Sequence, residues 1–168
     1  MLVDDFSDKT LLSKLATQWR GVSDQIMGGL SESSISHVIV DGYPCMRMTG
    51  DVRMENDGGF IQASLDLAPS GQTFDASGFN GVRLVVRGNT EQYSVHLRTS
   101  DNIRPWQSYR AHFTAARHWQ TIQLPFKTFF PHRLDTPLAT ARLRRAGLVA
   151  IGRPFHADLV VSELAFYT

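Results

Sequence analysis

The sequence predicts an all-β protein, a β-sandwich or jelly roll carrying one or two short helices. Three observations predict it. Apolar residues recur at every second position over much of the chain, turn-forming residues interrupt them at short intervals, and helical signals are few. A period of 2 gives each strand one buried and one wet face, the pattern of antiparallel sheet.

In chain order, Thr10–Ala16 is the first helical candidate, with Ser7 or Asp8 near its cap. Ser34–Val40 and Cys45–Thr49 flank Asp41-Gly42, a hairpin signal. Ile61, Ala63, Leu65 and Leu67 then alternate with Gln62, Ser64 and Asp66, and Val82, Leu84 and Val86 alternate with Arg83, Val85 and Arg87. Tyr93, Val95 and Leu97 alternate with Ser94, His96 and Arg98, as do Tyr109, Ala111 and Phe113 with Ser108, Arg110 and His112. Turn residues punctuate these runs at Asp57-Gly58-Gly59, Pro69-Ser70-Gly71, Gly78, Gly88-Asn89, Pro105 and Pro131. The second helical candidate is Leu138–Arg145, with Thr136 as its cap, Pro137 in first position and Gly147 as its stop. No repeat, low-complexity tract or linker divides the chain, so residues 1–168 are read as one domain.

The 168 residues are 42% apolar, enough to build a core. No apolar run nears the roughly 20 residues that span a bilayer, so an integral membrane protein is not expected. Cys45 is the only cysteine, which leaves neither an internal disulfide nor a Cys-rich zinc site. Asp4 and Asp5 stand where a secretory signal would carry basic residues; a cytoplasmic protein is the simplest fit, a trimmed mature chain the alternative. The net charge of +1 hides an uneven distribution: −5 over residues 1–96, +8 over 97–153 and −2 over 154–168. Such asymmetry either marks a surface for an anionic partner or is neutralised on folding.

Catalytic signals are lacking. No Gly-x-Ser-x-Gly elbow, no His-x-x-x-His or His-Glu-x-x-His spacing, no dinucleotide fingerprint and no P-loop is present. No enzymatic activity and no cofactor are therefore expected. Asp4, Asp5, Asp8, Asp158 and Glu163 lie on the first and last segments, where they either form an oxygen-rich Ca²⁺ site or are simply solvated. The polar face of the middle strands is the stronger lead. If Tyr93–Thr99 and Ser108–Thr114 pair, His96, Arg98, Arg110 and His112 share a face, which Arg83 and Arg87 would extend, with Trp106 and Tyr109 beside it. Like charges on neighbouring strands repel unless an anion answers them, and Arg offers forked donors to carboxylate or phosphate. This face is expected either to accept an anionic group or partner or to lie solvated on the outside. Nucleic acid is not expected, because no aromatic-and-basic strand motif of the RNA-recognition kind accompanies the charge.

The most unusual stretch runs from Trp19 through Asp24 to Met27-Gly28-Gly29-Leu30-Ser31. Adjacent glycines permit positive φ and close backbone approach, and Asp24 is placed to accept from amides of the following turn. With this stretch the chain resembles the complex I intermediate-associated protein 30 family, whose marker is a Trp, an Asp and Met-Gly-Gly-x-Ser. Gly50 and then Asn56-Asp57-Gly58-Gly59-Phe60 are similar to its Asn-Gly-Gly-Phe, with Asp57 in the Asn position. Gly81–Gly88, Trp119, Leu124-Pro125-Phe126 with Phe129, and Ile151-Gly152 continue the match. The resemblance implies a galactose-binding-like jelly roll, shared with many carbohydrate-binding modules and usually not catalytic. It also implies a protein partner: the mitochondrial members are chaperones for respiratory complex I assembly, so complex I subunits or assembly intermediates are candidate partners, with carbohydrate the alternative. Trp19, Trp119 and Phe126 are expected in the core, and Asp24, Ser31 and Asn56 either brace the Met27-Gly28-Gly29 turn or line a pocket beside it.

Overall fold

Asp41 and Gly42 join the first long hairpin with positive φ at both positions, 52° and 82°. That geometry matches the right-handed twist of the strands it connects. The assignment comes from a computed structural model, which describes the backbone of residues 1–168 and every side chain but that of Asp57. The family match drawn at Asp57 thus lies outside the described side chains. In chain order the strands are β1 (Leu2–Asp4), β2 (Arg20–Ser23), β3 (Glu32–Val40), β4 (Tyr43–Val52), β5 (Phe60–Asp66) and β6 (Gly81–Arg87). They continue as β7 (Gln92–Thr99), β8 (Ser108–Thr114), β9 (Gln120–Pro125), β10 (Phe130–His132), β11 (Leu143–Ile151) and β12 (Phe155–Tyr167).

The strands form two antiparallel sheets. The first runs β3-β4-β12-β6-β9, with β1 added along the far half of β12; the second runs β10-β8-β7-β11-β5-β2. Each alternating segment buries its apolar set between the sheets: Met46, Met48, Leu84, Val86, Leu159 and Val161 face Ile61, Leu65, Val95, Leu97 and Leu148. The architecture is the expected β-sandwich jelly roll. Trp19 closes one end of the core against Phe6, its ring centroid 5.7 Å away and its indole N–H donating to Asp4 at 2.8 Å. No helix among the described residues is long and apolar enough to cross a membrane.

Three expectations are corrected. Thr10–Ala16 folds as hydrogen-bonded turns around a bridge from Leu12 to Gln18 rather than as a helix. In Leu138–Arg145 only a single 3-10 turn forms, Thr140–Arg142, before the chain enters β11 at Leu143. β11 is an inner strand of its sheet whose Ala146–Ile151 stretch is almost continuously apolar on both faces, so it shows no period of 2. Trp119 is half-buried on the first sheet rather than in the core, donating to Asp41 at 2.9 Å and set edge-on to Tyr43. Phe126, by contrast, packs against the core from its margin.

Candidate functional site

The Met27-Gly28-Gly29 turn is built around one carboxylate. Ser23 caps a 3-10 turn, Asp24–Met27, by accepting from the Gln25 amide, and Gly28 ends it at φ 84°. Asp24 itself is fully buried. Its Oδ1 accepts from the Ser31 amide at 2.9 Å; its Oδ2 accepts from the Ser31 hydroxyl, the Gly59 amide at 2.6 Å and the Phe60 amide at 3.1 Å. Burial raises the carboxyl's pKa, but these donors outweigh it and hold the group below the usual aspartate value. A Cβ on Gly29 would lie 2.3 Å from Oδ1, and one on Gly58 would lie 2.7 Å from Oδ2. Ser31 also accepts from the Arg53 amide at 2.8 Å, and Asn56, itself at φ 59°, donates to the Gly28 carbonyl at 3.2 Å. Asp24, Ser31 and Asn56 therefore brace the turn, which leaves Ile26 and Met27 pointing outward, each more than half exposed.

These outward residues form part of the rim of a cleft of about 620 Å³ over the second sheet. Its floor comes from the polar faces of β5, β11, β7 and β8: Gln62 and Ser64, Gly147 and Val149, His96 and Arg98, Ser108 and Arg110. His96 stands directly opposite Arg110 in the register, as the hairpin reading requires. The rim adds Ile26, Met27, Met54, Ile103 and Trp106. Arg98 is tied up as a brace: its Nη1 donates to the carbonyls of Arg104, Pro105 and Gln107 at 3.2, 2.9 and 2.9 Å, fixing the loop that carries Ile103 and Trp106. Arg110 donates through Nε to Ser108 at 2.9 Å. Burial lowers the pKa of both guanidiniums, helped at Arg98 by Arg145 and Arg144 and at Arg110 by Arg133.

The sheet topology and strand facing remove three expected residues from this face. Arg83 and Arg87 lie on β6 in the other sheet, where they pair with Glu163 at 3.1 Å and Asp41 at 2.8 Å. Tyr109 points into the core, its hydroxyl donating to the Thr136 carbonyl at 2.6 Å. His112 keeps the expected face of β8 with Arg110 but stands exposed beyond the cleft, resting against Phe130 with ring centroids 5.5 Å apart. The rim residues Ile26, Met54 and Ile103 had no periodic signal; exposed apolar residues in loops were the only trace available in the sequence. Arg145, which the expected helix claimed, lines the floor from β11.

The floor histidine gives the protein an acid sensitivity. Burial, reinforced by Arg110, His112 and His132, pushes the His96 imidazole down to about 3, and its Nε2 is buried without a hydrogen-bond partner. Below the unfolded value of 6.5 the unfolded chain takes up a proton that the folded chain refuses. Stability is therefore present above that value and falls as pH drops toward 3. Urea denaturation at pH 7 and pH 5 is expected to show this loss, and His96→Gln to reduce it.

The five acids considered for calcium are kept apart. Asp4 accepts from the Phe6 amide and the Trp19 indole, and burial raises its pKa despite them. Asp5 and Asp8 accept from the Ser7 and Thr10 amides, while Asp158 pairs with Arg47 and Glu163 with Arg83. Among the described residues no three acidic, His or Cys side chains converge in a way that could hold a metal ion.

The Asp24 clamp links the two glycine-rich motifs of the sequence into one structural unit. A sequence model of the complex I intermediate-associated protein 30 family matches residues 5–158. The chain belongs to that family. No curated protein sequence matches this member. Among solved structures, this complex I intermediate-associated protein 30 domain is similar to family 11 carbohydrate-binding modules from Clostridium thermocellum. One of these, in complex with a β-1,3-1,4-mixed-linked tetrasaccharide, superposes with a TM-score of 0.71 at 15% identity, over 99% of this chain and 94% of that one. Another, from the cellulosomal cellulase Lic26A-Cel5E, gives 0.73 at 16% identity over 99% and 93%. A family 30 carbohydrate-binding module gives 0.66 at 14% identity, over 100% and 89%. At these identities the likeness establishes the jelly-roll fold that the family domain shares with such modules.

Proposed function

We propose that this domain is a non-enzymatic binding protein of the assembly-factor type, and that the cleft over the second sheet receives a segment of a partner polypeptide. The observation that carries this reading is the make-up of the cleft. Met27, Met54, Ile103 and Trp106 stand exposed around a floor containing Arg98 and Arg110. Aromatic residues, Met and Arg are the side chains enriched in protein–protein interfaces, and Met adapts its shape to irregular apolar surfaces. Family membership supports a partner from the assembly of respiratory complex I, a subunit or an assembly intermediate.

The test is affinity capture from the native organism under mild conditions, read by mass spectrometry. Recovery of complex I subunits is the expected result; their absence would count against this partner. A second reading, a carbohydrate-binding module, rests on Trp106, whose exposed indole over the cleft is a stacking surface for a sugar ring. The tetrasaccharide held by the family 11 module makes β-1,3-1,4-mixed-linked oligosaccharides the first saccharides to try. Saturable binding on a glycan array would favour this reading.

A further inference from the structure

Beside the cleft, and sharing Arg98 and Arg145 with it, lies a second depression of about 370 Å³, lined by Asp66, Arg98, Thr99, Asn102, Arg144, Arg145 and the turn at 68–72. Its construction starts from the register of β11 against β7. Arg145 stands opposite Arg98 and Leu143 opposite Thr99, so Arg144 is the extra residue of an irregularity in the ladder. A bulge of this kind re-aims side chains, and here two consecutive arginines line the same depression.

Three guanidiniums thus meet one carboxylate. Asp66 Oδ1 is already shared between Arg145 at 2.8 Å and Arg20 at 3.3 Å. Among the described residues no carboxylate lies within ion-pair distance of Arg98 or Arg144. Like charges directly across a ladder are destabilising unless something answers them. A second observation is independent of the charge. Asn102 is only 5% exposed; its Oδ1 accepts from the Thr99 amide at 2.6 Å, which fixes the side chain's orientation and leaves Nδ2 as a buried donor with no acceptor. Buried donors are nearly always partnered, and this orphan lies just behind the wall of a cationic depression, where an acceptor entering the depression would reach it as the wall relaxes.

We propose that this depression is a binding site for a doubly charged oxyanion, phosphate or sulfate, gripped by Arg144 and Arg145 and by those N–H groups of Arg98 that its three carbonyl contacts leave free. The planar forks of guanidinium groups match tetrahedral oxyanions through paired N–H···O bonds. The excess of three cations over one carboxylate favours a dianion over a monoanion. Ser70 and Gln72 stand on the turn opposite, with Gly71 at φ 81°, and add neutral donors.

The test is an amide NMR titration of the whole chain with sodium phosphate, sodium sulfate and sodium acetate at constant ionic strength. Saturable shifts confined to residues 68–72, 98–102 and 143–145 are expected with phosphate or sulfate, and the stronger of these two names the ion. Acetate is expected to bind at least tenfold more weakly. Arg144→Gln, at an exposed position, is expected to weaken the dianion at least tenfold while leaving the rest of the spectrum in place; Arg117→Gln, on a loop away from the depression, should leave it unchanged. Shifts linear to the highest concentration, equal response to acetate, or full binding by Arg144→Gln would overturn the proposal. Arg144 does not line the cleft, so failure here leaves the polypeptide-binding reading standing, and failure of that reading leaves this site testable.

Discussion

Asp24→Asn is expected to lower the melting temperature by roughly 10 °C, corresponding to about 3 kcal/mol for a chain of this size. The substitution changes almost no volume, so the loss isolates the chemistry. Oδ2 accepts three donors at once, from the Ser31 hydroxyl and the Gly59 and Phe60 amides. A carboxamide offers one acceptor oxygen and an NH₂ group that can accept nothing. Whichever way the introduced carboxamide is turned, N–H groups would face N–H groups in a buried site. The sign with pH follows from the depressed pKa. The Asp24 contribution is complete above the ordinary value of 3.8 and disappears as pH falls through the lower folded value. In Asp24→Asn that part of the acid limb should be gone, which thermal unfolding followed from neutral pH down through the folded value, below 3.8, would measure. A melting temperature within about 2 °C of the unsubstituted protein would refute the account of the clamp.

The double variant Met27→Ala with Trp106→Ala is expected to weaken capture of the partner by at least thirtyfold, about 2 kcal/mol, with the melting temperature nearly unchanged. Both side chains are more than half exposed, so truncating them leaves the core intact. They rise from separate loops of the rim, Met27 on the turn braced by Asp24 and Trp106 on the loop braced by Arg98. Arg98→Ala is a poorer probe, because it would release that loop as well as remove a charge. Surface plasmon resonance against the captured partner gives the affinity, and circular dichroism the stability. Unchanged affinity at unchanged stability would move the binding surface away from this cleft.

How far the sequence was legible can be followed residue by residue. The hairpin at Asp41-Gly42 and the pairing of Tyr93–Leu97 with Tyr109–Phe113 were readable, because turn chemistry and period 2 are local signals. The shared face of His96, Arg98 and Arg110 followed from that pairing. Arg83 and Arg87 were misplaced because β6 and β7 are consecutive in the chain but lie in opposite sheets, and alternation carries no information about which sheet a strand joins. β11 was misread because its Ala146–Ile151 stretch is apolar on both faces and carries no alternation, while Thr136-Pro137 supplied a helix-like start. The rim of the cleft was out of reach for another reason. Ile26, Met54 and Ile103 sit on irregular backbone, held there by contacts from Asp24 and Arg98 that are remote in sequence or made to main-chain atoms.

The Asp24 clamp also limits the order in which its residues can change. Gly29 and Gly58 have no room for a Cβ because the carboxylate of residue 24 occupies that space. A smaller residue at 24 would open the space but would strand the amides of Ser31, Gly59 and Phe60. Substitutions at 24, 29 and 58 are therefore non-additive, since all three share one contact. An alanine at 29 or 58 is least harmful in a chain that has already lost Asp24, and most harmful in one that has kept it. Sequence drift in this corner of the fold is held in place from both directions: each first step is costly, and loss of Asp24 lowers the cost of a later alanine at 29 or 58.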